Sequence, residues 1–212
     1  MENMEITCTG HSGFLVGLPK YNLVFDYYTD KNKVVSPEIF QNKKTCVFVS
    51  HSHFDHYSKK IFGWASFGEI VYAVDSGCKI PEGTGATVIK VKEGMEYSVF
   101  GGGIDIKTYG STDAGVSFLV SAGGFAVFHA GDLNDWYWED ESTPEELAKD
   151  EADYIEIVKK LAGQKIDAAF IPEDPRLKQN AGRGIKHFKE IVNPKKIIPM
   201  HFPGNDGVKY SI

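Results

Sequence analysis

Apolar residues recur along this chain in short blocks broken by glycine and proline, a pattern that assigns most elements directly. In the first half, Ile6 to Cys8, Gly13 to Val16 and Asn22 to Phe25 read as short strands, two of them separated by the turn chemistry of Gly17-Leu18-Pro19-Lys20. Thr45 to Val49 is an unbroken run of mostly apolar residues, the signature of a strand covered on both faces. Ile70 to Val74 and Thr87 to Val91 repeat that signature. Glu96 to Phe100, Ile104 to Tyr109, Val116 to Val120 and Phe125 to Phe128 then follow closely, with glycine-rich turns that predict antiparallel hairpins.

The second half switches to helical spacing. Thr143-Pro144-Glu145-Glu146 supplies an N-cap, a proline at the first helical position and the glutamate of a capping box. Leu147, Ile155, Val158 and Leu161 keep helical spacing as far as Gly163. A strand is predicted over Ile166 to Ile171 and a helix over Gly184 to Val192, which Pro194 stops. A last strand, Lys196 to Met200, delivers His201. With no linker, low-complexity tract or repeat in view, the reading is an α/β fold in one domain over residues 1–212.

Composition narrows the function. The 212 residues are 42% hydrophobic and 25% charged, which excludes disorder and coiled coil. No apolar stretch approaches the roughly 18 residues a membrane-spanning helix needs. The opening MENMEITCTG has no basic segment leading into an apolar one, so no secretory leader and a cytoplasmic location are expected. The formal net charge of −6, with only paired lysines as basic clusters, argues against a nucleic-acid partner, whose phosphates demand a basic stripe. Cys8, Cys46 and Cys78 form no CxxC pair, and the first two sit in strand-like runs, where they read as core residues.

Chemistry concentrates at one place. Three of the seven histidines fall in His51-Ser52-His53-Phe54-Asp55-His56, directly after the buried run that ends at Val49. In extended backbone, His51 and His53 point to the same side and can reach one metal ion. Asp55 and His56 lie where the chain turns and can address a second. A histidine-rich polar loop is the bland alternative, and three imidazoles and a carboxylate at a strand exit argue against it. His129 to Asp132 and His201 follow apolar strands in the same way.

HSHFDH, HAGD and PMH together resemble the metallo-β-lactamase fold superfamily. GHSGFLV, VFDYYTD, HAGDLNDW and DPRL resemble more narrowly its lactonase-like metal-dependent hydrolases, of which the ascorbate-6-phosphate lactonases are the best-known relatives. The resemblance implies a four-layer αβ/βα sandwich, two mixed β-sheets flanked by helices, with metals at one edge. It implies His51 and His53 on a first metal, Asp55, His56 and His201 on a second, and Asp132 bridging them. Two divalent ions are expected, zinc first, with manganese or iron as alternatives.

One position departs from that pattern. The superfamily usually supplies a third histidine to the first metal from the loop that here reads Tyr109-Gly110-Ser111-Thr112-Asp113-Ala114-Gly115. Ser111, Thr112 or Asp113 must replace it, and Asp113 is the expected substitute; otherwise Ser-Thr-Asp only shapes a turn and the first site is incomplete.

The function read from this is hydrolysis of a small-molecule lactone, ester or amide by a metal-activated hydroxide. Asp55 is expected to orient the nucleophile and take its proton, with His11 and His129 as further catalytic candidates. Arg176 and Trp136 are candidates for substrate contact, with pairing to a neighbouring carboxylate that fixes the loop as the structural alternative for Arg176 and loop packing as that for Trp136. His187, among Lys186, Lys189 and Glu190, is expected to face solvent. A small phosphodiester hydrolase of the same fold and a non-catalytic metal-binding or sensing protein are the alternatives. The partner is a small molecule; no membrane partner is expected, and self-association into a homo-oligomer stays open.

Overall fold

The computed structural model describes residues 3–212, so the first two positions of the expected 1–212 domain lie outside the described residues. The strands of the first half are β1 (Glu5–Gly10), β2 (Gly13–Gly17), β3 (Tyr21–Phe25), β4 (Lys44–Val49), β5 (Ile70–Asp75) and β6 (Thr87–Val91). With β13 (Lys209–Ser211) they form a seven-stranded sheet in the order β13-β1-β2-β3-β4-β5-β6. The second sheet takes β7 (Glu96–Val99), β8 (Ile104–Tyr109), β9 (Ser117–Ala122), β10 (Phe125–His129), β11 (Ala168–Pro172) and β12 (Lys196–Met200), in the order β12-β11-β10-β9-β8-β7. Both sheets are mixed, antiparallel at one side and parallel at the other.

The unbroken apolar run of β4 has the cause its sequence predicts. Cys46 and Phe48 turn into the core between the sheets, while Val47 and Val49 turn outward into a second apolar layer. That outer layer is capped by two short 3₁₀ helices, Pro37–Phe40 and Lys59–Ser66, whose Phe40, Ile61 and Phe62 are buried. The helices α1 (Pro144–Lys159) and α2 (Arg183–Ile191) cover the other sheet, and Tyr154, Val158 and Phe188 complete the main core. Between the sheets, Phe14 stacks on Phe170 with ring centroids 4.1 Å apart. Each such buried aromatic contributes about 1.5–3 kcal/mol by transfer from water. The architecture is therefore two mixed β-sheets flanked by helices. The capping box of α1 forms as expected, Thr143 accepting from the Glu146 backbone and Glu146 from that of Thr143.

Parallel pairing decides where the polar residues gather. Strands β3 and β4 run parallel, as do β10, β11 and β12, so each set ends at one edge. Because β2 runs antiparallel to β3, the β1–β2 turn lies at that edge too. The carboxyl ends of parallel strands are where open α/β sheets bind ligands. Here those exits carry Asp26, His51, Asp132, Asp174 and His201, and the β1–β2 turn carries His11. Among the described residues, no helix is long and apolar enough to cross a membrane.

Candidate metal centre

Asp132 is the hub of the cluster. Its Oδ1 lies 2.9 Å from His56 Nε2 and 3.3 Å from His201 Nε2, while its Oδ2 lies 3.0 Å from His51 Nε2 and 3.5 Å from His53 Nδ1. One buried carboxylate thus offers an oxygen to each of two groups. Two loops press against the base of the site. A Cβ on Gly115 would meet the Ser50 carbonyl at 2.0 Å, and one on Gly131 would meet Ser50 Cβ at 2.8 Å. Both glycines have positive φ, so a side chain there would face strain as well as collision.

The tautomers follow from what holds the rings. His56 Nδ1 donates to Asp26 Oδ2 at 2.8 Å, and His201 Nδ1 donates to Asp174 Oδ2 at 3.0 Å. His51 Nδ1 donates to Ser50 Oγ at 2.9 Å, and that hydroxyl in turn donates to Asp26 Oδ2 at 2.5 Å. With Nδ1 of each ring engaged in this way, Nε2 is the nitrogen left to face Asp132. A carboxylate behind an imidazole is the arrangement that orients metal-binding histidines.

The electrostatics point to a cation. Burial pushes the Asp132 carboxyl up, but the rings of His201, His51 and His56 outweigh it and hold the group far below the usual carboxylate range. Burial likewise disfavours charge on His56, yet Asp132 and Asp26 push it up to about 10. The His11 ring holds Asp55 well below the ordinary range. Four carboxylates, Asp26, Asp55, Asp132 and Asp174, surround these imidazoles and favour positive charge among them.

The residues fit a metal on independent grounds. His51 Nε2, His56 Nε2, His11 Nε2 and Asp132 Oδ1 are buried and make no aligned hydrogen bond among the described residues. Orphaned polar atoms are costly unless something fills the space they face. Three sets of side chains bring donor atoms within 4.8 Å of one another: His51, His53 and Asp132; His11, Asp55, His56 and His201; and Asp26, His51 and His56. Asp26 is already committed to Ser50 and His56, which leaves the first two sets as the open ones.

Several expectations need correction. His129 does not face the cavity. It is wholly buried, its Nε2 donates to the Ser12 carbonyl at 2.8 Å, and its Nδ1 accepts from the Gly131 backbone at 3.1 Å. It stacks on Phe25, and its one ring proton is spent on the Ser12 carbonyl. Asp113 is exposed and joins neither metal group, although it borders the cavity. Thr112 instead ties its loop down, donating to the Asn134 carbonyl at 2.6 Å and accepting from the Asn134 backbone at 3.0 Å. His187 does not stand free in solvent. Its Nε2 lies 3.2 Å from Glu151, in an ionic cluster with Asp135 and Arg183. The cysteines are all buried, and burial pushes the Cys8 and Cys78 thiols up to about 12.

The other expected residues border the cluster. A cavity of about 750 Å³ opens over it, lined by His53, Asp55, Trp136, Trp138, Arg176 and His201 among others. Trp136 Nε1 donates to the Asp132 carbonyl at 3.0 Å and the ring stands edge-on to His201. Arg176 spends its Nε on Asp174 and lies over the Trp138 ring. Of the remaining aromatics, Phe62 packs on Tyr72 and Trp64 on Tyr27, so they brace the fold rather than line the cavity. Asp26, Ser50, Asp174 and Asn205 received no role from the sequence. Asp26 directly follows the apolar strand β3, and Asp174 lies two residues beyond β11. The strand-exit signal that selected His51 would have selected both.

A family model described as a beta-lactamase superfamily domain matches residues 5–149. A UPF0173 metal-dependent hydrolase of Thermus thermophilus is 22% identical over 210 residues, covering 94% of this chain and 84% of its own length. Among solved structures, Igni18, a metallo hydrolase from Ignicoccus hospitalis, aligns with a TM-score of 0.67 at 15% identity, over 99% of this chain and 98% of its own. CmlA, a diiron β-hydroxylase from Streptomyces venezuelae, aligns with a TM-score of 0.61 at 12% identity, over 95% of this chain and 45% of its own. At such identities the two structures establish a shared fold.

Proposed function

This chain belongs to the beta-lactamase superfamily domain family and is a metal-dependent hydrolase of it; from that premise we propose that it cleaves a lactone, ester or amide bond in a small molecule, as the lactonase-like branch does. The observation that carries the reading is the convergence of three imidazole Nε2 atoms on Asp132, each ring held from behind at Nδ1. The residues to hold metal are His51 and His53 on one side, Asp55, His56 and His201 on the other, and Asp132 between them. Imidazole and carboxylate donors suit zinc, our choice for the native metal, and they suit iron as well. Bound there, such ions act as Lewis acids and bring the pKa of coordinated water down to about 7.

The chain's own side chains supply the rest. Asp55 borders the cavity and is ionised, so it is placed to orient the attacking water and accept its proton. Trp136 and Trp138, stacked with centroids 6.0 Å apart, give the cavity an apolar wall for the acyl portion of a substrate. Arg176 stands at the mouth with its side chain 65% exposed, where it attracts an anionic substituent. A cavity of about 750 Å³ suits a small molecule.

The test is a panel of lactones, esters, amides and small phosphodiesters offered to protein carrying a measured zinc content. Turnover of a carbonyl substrate that chelation abolishes and zinc restores is the expected result. Turnover of phosphodiesters alone would replace the lactonase-like reading with the phosphodiesterase one. Silence across the panel at full zinc occupancy would leave a binding or sensing protein.

A further inference from the structure

The two halves of the cluster differ in donor number. The group around Asp132 Oδ2 contains His51 and His53 and, among the described residues, nothing from the loop where the superfamily resemblance places a third histidine. The other group contains four side chains besides Asp132 Oδ1, namely His11, Asp55, His56 and His201, and the position of His11 in it has no counterpart in the ligand set that the resemblance implies.

His11 is held there by deliberate means. It occupies the β1–β2 turn at φ 55°, a conformation uncommon for non-glycine residues. Asn205 clamps it from both sides: its Oδ1 accepts from the His11 backbone N–H at 2.9 Å, and its Nδ2 donates to the His11 carbonyl at 2.8 Å. The His201 backbone N–H donates to the same carbonyl, which joins the turn to the exit of β12. The ring then lies against His201, centroids 4.3 Å apart, and edge-on to His56. Its Nε2 is buried, stands 3.3 Å from Asp55 Oδ2, and makes no aligned hydrogen bond among the described residues. A histidine serving only the core would have found a partner for that nitrogen. A general acid would border the cavity, and His11 is not among its lining residues.

We propose that His11 is a protein ligand of the second metal ion, joining Asp55, His56, His201 and the shared Asp132 in a five-ligand site that holds its ion tightly, while the three-ligand site of His51, His53 and Asp132 is the labile one. Four or more protein ligands make a closed site and three leave a position open, the distinction between structural and catalytic zinc sites. The centre has lost a ligand on one side and gained one on the other. This inference rests on the metal-binding reading above and concerns which residue holds which ion.

The test uses zinc alone as probe, with elemental mass spectrometry after graded chelation as readout. Wild-type protein is expected to release one ion early and keep the other. His53→Ala should lose the early ion and keep the late one. His11→Asn, in which asparagine tolerates the left-handed backbone, should weaken retention of the late ion by at least about tenfold, the scale on which metal-site residues act. X-ray absorption of wild-type protein holding one equivalent of zinc tests the same point without a substitution: three imidazoles on the ion are expected. Two imidazoles, or a His11→Asn protein that keeps the late ion as firmly as wild type, would overturn the inference and leave the metal-dependent reading standing. A wild-type chain that takes up no zinc would overturn both.

Discussion

The two halves of the metal cluster stand on the same edge of the same sandwich, yet they are built differently. In the half formed by His11, Asp55, His56 and His201, Asp26 and Asp174 brace the rings of His56 and His201 from behind, and Asn205 clamps the backbone of His11. In the half formed by His51 and His53, only His51 is braced, through Ser50, and the His53 side chain is 48% exposed. The braced half hangs on strand exits and a clamped turn, positions that buried sheet fixes. The loose half depends on the loop between β8 and β9, which presses its backbone on Ser50 but contributes no ligand to the group. Rigidity at such a site is set less by the ligands than by the acceptors that hold them, which fix both ring orientation and tautomer.

The largest effect should come from the one residue the halves share. Asp132→Ala removes an oxygen from each, so neither ion should survive dialysis, and hydrolysis should fall by more than about 100-fold, since even supporting residues cost about 10–100-fold. An Asp132→Ala protein that still holds an ion through dialysis would show that one half stands without the hub. Next comes a change confined to the braced half. Asp174→Asn takes the negative charge from behind His201 and frees Arg176. Zinc retention by the tightly held ion should weaken about 10–100-fold while the early ion leaves at its usual chelator concentration. Equal weakening of both ions would mean the halves act as one unit.

A third change addresses the loop itself. The Thr112 hydroxyl both donates to and accepts from the Asn134 backbone. Thr112→Val keeps the shape and leaves that N–H and carbonyl without partners, at a cost of about 1–3 kcal/mol in denaturant unfolding. Zinc content should stay at the wild-type value. A loss of the early ion together with stability would show that this tie also shapes the first site.

How far the sequence carried these distinctions depends on the scale of the signal. Strands and helices were legible because their apolar periodicity is local: β4 and α1 match the pattern of Thr45 to Val49 and the capping box at Thr143 within a residue or two. The short strand β13 was not read, since Lys209-Tyr210-Ser211 carries no apolar pattern and exists only by pairing with β1. The cluster was legible where ligands sit side by side, as in His51 to His56. The braces were not, because Asp26 meets His56 across 30 positions and His11 meets Asn205 across 194. Such contacts are products of topology. His129 misled for the same reason: a strand exit places it at the site's edge, but the packing of Phe25 and the Ser12 carbonyl turn it inward.

The smallest effect should come from Asp113, and it discriminates between two accounts of the missing histidine. If a carboxylate had replaced that histidine, Asp113 would be drawn toward His51 and His53 and share their ion. Instead it is exposed and lies outside the group of donors gathered around Asp132, with its backbone N–H donating to Ser111 Oγ at 3.3 Å. That is the hydrogen-bonding habit of a turn residue. Exposed turn residues away from special contacts change stability by no more than about 0.5 kcal/mol. Asp113→Ala should therefore leave the melting temperature and the zinc count as they are. It should also leave the order in which chelator removes the two ions. A variant that sheds its early ion at lower chelator than wild type would make Asp113 a ligand of the loose half. The contrast between three donors and five would then narrow to four and five.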